Sequence, residues 1–233
     1  ADLDTIFGKV ENHFNQLQDL KGLRLLVTAG PTHEPLDPVR YLSNPSSGKM
    51  GYAVAERAKA RGAEVVLISG PTHLNPPTGI KFESCKTAAE MNNLVQKHFP
   101  ECDVLVMSAA VGDFTAEKLE KEKIKKQSGE GRTLKLVATK DILMEASKIK
   151  TRQFVVGFAA ETQNVTQSAL EKLRKKKLDL IVANDISVPG IGFQSDNNQV
   201  TLIDRDEKIE NLPRMTKKEI ADILLDKVKG AIA

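Results

Sequence analysis

Thr28–Gly51 reads TAGPTHEPLDPVRYLSNPSSGKMG, and the segments on either side of it decide the fold. Before it, Leu23 to Val27 is an apolar run of strand length; after it, Tyr52 to Arg61 is amphipathic at helical spacing. A strand, a loop punctuated by Gly and Pro, and then a helix is how an α/β protein turns backbone N–H groups toward a phosphate or carboxylate. The loop runs to about twenty residues where two to six are usual, and connections of that size tend to carry function. It is expected to floor a ligand site.

Working outward, the elements alternate. Strands are predicted at 23–28, 64–69, 80–84, 103–108, 153–158, 178–183 and 199–204, and helices at 48–61, 87–98, 140–149, 165–177 and 216–229. Val104–Met107 and Leu180–Val182 are apolar on both faces, as strands of a parallel sheet covered by helices must be. The fold class is therefore α/β, a Rossmann-like, doubly wound and mostly parallel sheet. Three segments stand outside the alternation. Residues 3–20 carry apolar side chains at three- and four-residue spacing and predict a connecting helix that ends at Lys21-Gly22. Glu117–Arg132 is charge-rich and reads as a flap over a strand end. Asn184–Asn198 is rich in turn formers and leads into a C-terminal hairpin strand, Gln199 to Ile203.

With 233 residues, 40% hydrophobic and 28% charged, the chain has room for one large α/β domain or two small ones. A net charge of +3, no Trp and 4% aromatic residues leave neither the basic stripe nor the stacking platforms of a nucleic-acid binder. Cys85 and Cys102 are too few for a disulfide framework or zinc site and read as buried reduced thiols. No apolar stretch has transmembrane length and the N-terminus has no signal pattern, so a cytoplasmic protein without a membrane partner is expected.

The motifs exclude the commoner chemistries of such a scaffold. In Ser46-Ser47-Gly48-Lys49-Met50-Gly51 two glycines stand three apart at the helix start, as in the latter half of the dinucleotide fingerprint, but Ser46 replaces the first glycine. The second strand ends in Ser69-Gly70-Pro71, without the acidic residue that holds a ribose. Gly48-Lys49 fails the Walker pattern on both sides, and a plain structural reading has Ser47 capping the helix and Gly51 packing on the strand. Neither Tyr41 nor Tyr52 has a Lys four residues on, so a short-chain dehydrogenase is disfavoured. There is no GxSxG elbow, and the four His are scattered. Positive signals lie at strand ends. Ser108-Ala109-Ala110-Val111-Gly112-Asp113 follows a central strand, where small side chains let a planar ring approach the backbone and Asp113 can accept from a ribose hydroxyl; Phe158-Ala159-Ala160-Glu161-Thr162 repeats the theme. Lys172 and Lys176 on a predicted helix and Lys123 on the flap read equally as solvated surface residues or as charges that suit a polyphosphate, with any metal arriving as Mg²⁺ on the phosphates.

These strings, VTAGPTHEPLDPVRYLSNPSSGKMG, SAAVGDF, EKIKKQ, VVGFAAET, DLIVAND and GFQSDNN, together resemble the phosphopantothenoylcysteine synthetase (phosphopantothenate-cysteine ligase) half of the bacterial bifunctional coenzyme A biosynthesis proteins, over about residues 22–230. The resemblance implies a CTP- and Mg²⁺-dependent ligase in two half-reactions. The carboxylate of 4′-phosphopantothenate takes the cytidylyl group of CTP and releases pyrophosphate, and the amine of L-cysteine then displaces CMP. It implies a nucleotide site at Ser108, Ala109, Ala110, Asp113, Lys123, Lys140, Asp141, Ile142, Leu143, Phe158, Lys172 and Lys176, with Lys123 on the phosphates. Asn44 matches the family's catalytic asparagine, and Arg40, Ser46, Ser47 and Gly48 fall on the substrate side. The chain departs from the pattern at Thr139-Lys140-Asp141, where many relatives have Asn-Pro-Asp, which puts weight on the backbone of Lys140. A homodimer is implied, as is a flavin-dependent decarboxylase upstream in the native chain. On that view residues 1–21 are linker, 22–233 form the ligase domain, and no flavin belongs to this part.

Overall fold

The computed structural model describes residues 2–3, 18–125, 131–161, 163–185 (for 185, the backbone) and 194–232. Its centre is β1 (Arg24–Ala29), the strand before the long loop. Two short strands inside that loop, β2 (His33–Pro35) and β3 (Tyr41–Ser43), pair antiparallel, and α1 (Lys49–Ala60) follows. β4 (Glu64–Ser69) and β5 (Lys81–Ser84) then add in parallel on one side of β1. α2 (Ala88–His98), opened by a Thr87–Glu90 capping box, carries the chain back to the other side. There β6 (Val104–Met107) pairs with β1.

The flap is a hairpin with arms β7 (Phe114–Ala116) and β8 (Leu136–Ala138). α3 (Ile142–Ile149), β9 (Phe154–Glu161), α4 (Val165–Lys175) and β10 (Leu180–Asp185) extend the parallel run outward. β11 (Asn197–Asn198) precedes β12 (Val200–Asp204), which pairs antiparallel with β10 and forms the expected hairpin with β13 (Ile209–Asn211). β14 (Met215–Thr216) pairs with β11, and α5 (Lys217–Ile232) closes the chain. The sheet order is β13-β12-β10-β9-β6-β1-β4-β5. The direction of winding reverses between β1 and β6, which opens a crevice beyond their C-terminal ends.

Strand periodicity sorts the core into two layers. Leu25, Val27, Val106, Val156 and Val182 face α1 and α5, while Leu26, Leu105, Met107, Val155 and Ile181 face α2, α3 and α4. Tyr52, Ile220 and Leu224 fill the first layer, and Met91, Ala146 and Leu173 the second, so both faces of the sheet are dry. α1 sits unusually close to β1 because of Gly51. A Cβ at that position would lie 2.6 Å from Ala29 Cβ and from Ser108 Oγ, and 2.7 Å from Thr28 O. The helix expected over 3–20 falls mainly on residues 4–17, outside the described residues. At its end, residues 18–22 form turns in which Leu20 is fully buried and Asp19 pairs with Arg61 at 2.6 Å. The part of Asn184–Asn198 from 186 to 193 is likewise outside the described residues. Among the described residues no helix is long and apolar enough to cross a membrane.

Candidate active site

The crevice between the ends of β1 and β6 is a cleft of about 770 Å³. Its floor is laced by hydrogen bonds between the two strand ends. Ser108 Oγ donates to Thr28 O at 2.6 Å, Ala109 N donates to Thr28 Oγ1 at 3.2 Å, and Ala110 N donates to Gly30 O at 2.9 Å. Gly112 N donates to Thr32 Oγ1 at 2.9 Å, and Thr139 Oγ1 donates to Gly112 O at 2.6 Å, which ties the flap's return to the same floor. Asn44, exposed at the mouth, donates its Nδ2 to Ala110 O (3.1 Å) and Val111 O (3.2 Å), so its amide is aimed from the long loop onto the neighbouring strand end.

Most of the residues singled out in the sequence line this one cleft: Asn44, Ser46 and Gly48 from the loop, Ser108, Ala109, Ala110 and Asp113 after β6, Lys140 to Leu143 ahead of and within α3, Phe158 on β9, and Lys172 and Lys176 at the end of α4. Asp141 is the N-cap of α3, accepting from Met144 N at 3.1 Å, and its other carboxylate oxygen takes Lys176 Nζ at 2.9 Å. Lys172 pairs with Glu161. Two cations therefore stand along one wall, each held by a carboxylate.

Arg40, Ser47 and Lys123 are not among the lining residues. The N-cap of α1 is Gly48, in the left-handed region at φ 78, with no side-chain cap, so Ser47 is not the cap that plain capping statistics suggest. Arg40 closes a clasp. Its guanidinium reaches Asp37 Oδ2 (Nε at 2.9 Å, Nη2 at 2.5 Å) and Ile124 O (2.7 Å). Asp37 is buried and also accepts from the backbone N–H groups of Val39 and Arg40, at 2.8 Å each, and of Ile124, at 3.1 Å. Burial opposes its ionisation, but these bonds, led by Arg40, outweigh burial and hold the carboxyl well below the usual carboxylate range. Exposed Lys123 is next to the clasped Ile124, at the root of the flap.

The structure also brings in side chains that the sequence reading passed over. Lys49, Asn184, Asn198 and Lys217 also line the cleft. Lys217 is buried; burial first and the charge of Lys49 second push its amine down to about 8, with Asp196 acting in the opposite sense. The available signal was a lysine opening the last predicted helix in MTKKEI, indistinguishable from a solvated one until the packing is known. At the tip of β4, where a dinucleotide site needs a carboxylate, stands buried Ser69, its hydroxyl donating to Gly70 O. Among the described residues no group of three or more His, Cys, Asp or Glu side chains is placed to hold a metal ion.

Fold and cleft together define a doubly wound α/β domain of the class that takes ligands at the C-terminal edge of its sheet, here between lysine-bearing walls. The chain belongs to the DNA/pantothenate metabolism flavoprotein C-terminal domain family, whose model matches residues 20–231. It is 46% identical over 228 residues to the coenzyme A biosynthesis bifunctional protein CoaBC of Escherichia coli K12, covering 96% of this chain and 56% of that protein. It is 43% identical over 228 residues to the CoaBC of Bacillus subtilis 168, covering 97% and 56%. The chain thus spans a little over half the length of these relatives. A crystal structure of the C-terminal domain of a CoaBC superposes with a TM-score of 0.79 at 40% identity, covering 92% of this chain and 98% of that one.

Proposed function

We propose that this chain is a CTP-dependent ligase that joins 4′-phosphopantothenate to L-cysteine. The observation that carries the reading is the convergence of Asn44, the Ser108–Asp113 strand end, the start of α3 and the lysines of α4 on one cleft, in a chain of this family. A carboxylate is a poor acyl donor until one of its oxygens becomes a good leaving group. Its oxygen attacks the α-phosphorus of CTP, the bond to pyrophosphate breaks, and an acyl-cytidylate forms. The cysteine amine then attacks the acyl carbon, the C–O bond to CMP breaks, and the amine loses a proton as the amide forms. The protein's task is orientation and charge stabilisation.

In this reading the backbone at Ala109 and Ala110 meets the cytosine, and Asp113 accepts from the ribose. Lys172 and Lys176 exchange Glu161 and Asp141 for phosphate oxygens, and Lys123 adds a charge when the flap folds over. Asn44 places its amide at the acyl phosphate. The same reading makes the protein a homodimer: the β2–β3 and β7–β8 hairpins pack on each other and leave Val39, Tyr41, Phe114, Leu136 and Val137 exposed, an apolar surface that suits a second copy. Residues 1–21 then lead into the domain.

Incubation with CTP, phosphopantothenate, cysteine and Mg²⁺ tests the function. Release of pyrophosphate and CMP with formation of the amide is expected. Tight CTP binding without turnover would overturn the ligase in favour of a nucleotide-binding module.

A further inference from the structure

The flap begins and ends on two neighbours in the cleft. Its first arm, β7, leaves directly after Asp113, and its second arm, β8, returns directly into Thr139. Thr139 N donates to Asp113 O at 2.9 Å and so closes the base of the hairpin, above which the arms pair from Phe114–Ala138 to Ala116–Leu136.

The residue before Asp113 is gripped from two sides. Gly112 N donates to Thr32 Oγ1 at 2.9 Å, and Gly112 O accepts from Thr139 Oγ1 at 2.6 Å. Thr32 is fully buried in the long loop, whereas Thr139 is half-buried at the foot of the flap. There is little slack between them. A Cβ on Gly112 would stand 3.2 Å from Glu34 Cγ and 3.4 Å from Thr32 Oγ1, and Glu34, itself buried, is fixed by the N–H of Ala88 at 2.8 Å. The Asp113 carboxylate, by contrast, is exposed, and among the described residues it has no hydrogen bond or ion pair. No neighbouring side chain aims it. Its direction follows from the backbone of Gly112 and Asp113, and Thr139 holds that backbone at both residues.

We propose that Thr139 is a positioning residue that couples the flap to nucleotide recognition, its hydroxyl on Gly112 O and its N–H on Asp113 O setting the direction of the Asp113 carboxylate. The nucleotide side of the proposal rests on the ligase reading, in which Asp113 accepts from the ribose. Thr139 acts through Asp113 and not on the reacting atoms. A movement of β8 carries Thr139 with it, and the two bonds pass that movement to Asp113, so closure of the flap also sets the ribose acceptor.

Thr139→Val keeps the shape of the side chain and removes its hydroxyl, while Thr139→Ser keeps the hydroxyl. Hydrogen exchange without nucleotide reads the joint. Thr139→Val should speed exchange at Gly112 and Glu117 by about tenfold, with β1 and β6 protected as in the wild type and Thr139→Ser close to the wild type. Wild-type protection of Gly112 in Thr139→Val overturns the proposal. Equilibrium titration with CTP and with 2′,3′-dideoxy-CTP, which lacks the hydroxyls offered to Asp113, reads the consequence. Thr139→Val should weaken CTP by about tenfold and leave dideoxy-CTP unchanged, Thr139→Ser should recover most of the loss, and in an Asp113→Ala background Thr139→Val should cost nothing further. An equal loss for both nucleotides marks a merely structural residue and overturns the proposal, as does a loss that persists undiminished in Asp113→Ala. Should Thr139→Val fail to fold, Thr139→Ala is read in the same terms. Turnover of the wild type with CTP, phosphopantothenate and cysteine is measured separately. CTP binding with these differences but without amide formation fails the ligase reading and leaves the role of Thr139 standing, whereas a wild type that binds no CTP overturns both.

Discussion

Asn44 stands where the long loop crosses the end of β6, and its two side-chain hydrogen bonds use the amide nitrogen. In the ligase reading the amide turns an N–H from one of its carbonyl partners to the acyl phosphate, where an oriented donor is worth most in the transition state as charge develops. Asn44→Ala should therefore lower kcat by about a hundredfold or more, the scale for one oriented donor, while leaving CTP affinity near that of the wild type. Steady-state rates together with equilibrium CTP titration check this, and unchanged turnover removes Asn44 from the reaction. Asn44 was singled out in the sequence through the family resemblance of the motif around it, and the structure places it on the cleft. Lys217 was not singled out. A lysine's part in a site depends on its burial and on the sign of its neighbours, and neither is encoded in its spacing along a helix.

Among the elements, the long loop and the flap are one unit joined by the Asp37–Arg40 clasp. Besides the bonds to Ile124, Glu120 N donates to Leu36 O at 3.1 Å, so the flap's root is fastened to the loop that carries Asn44. Asp37→Ala should speed hydrogen exchange at Glu120 and Ile124 and lower turnover, with protection of β1 and β6 unchanged; full protection of the flap root in that variant would sink the role. The pH dependence has a definite sign. Because the folded carboxyl is held below its ordinary value, the clasp contributes fully above about pH 4 and is lost as pH falls further. Wild-type flap protection should be flat from pH 8 to 5. The sequence marked Glu117–Arg132 as a charged flap and, through the family resemblance, Arg40 as a candidate on the substrate side, but the bond from Arg40 to Ile124 O spans 84 residues. No local pattern reports a contact of that range.

At the scale of the whole molecule, the exposed Val39, Tyr41, Phe114 and Leu136 predict a self-complementary interface built from the two hairpins. Phe114→Asp combined with Leu136→Asp should shift the protein to monomers in sedimentation equilibrium without loss of helix content, and a wild-type dimer population in the double variant would place the interface elsewhere. The doubly wound class was readable from strand and helix periods alone, since a chain that buries both faces of a parallel sheet must write continuous apolar strands between amphipathic helices. The order of strands, the reversal between β1 and β6 and the small antiparallel pairs β2–β3, β7–β8 and β11–β14 required the tertiary structure. By itself the sequence determined the period of each element, the motifs at the strand ends and through them the family resemblance. Only the tertiary structure decided that those strand ends share one cleft, that Arg40 clasps the flap, and that Lys49, Asn184 and Lys217 line the same cleft. The reason is physical: periodicity records which side of an element is buried, whereas a site is made by residues far apart in sequence whose distances, burial and charge exist only once the sheet has closed.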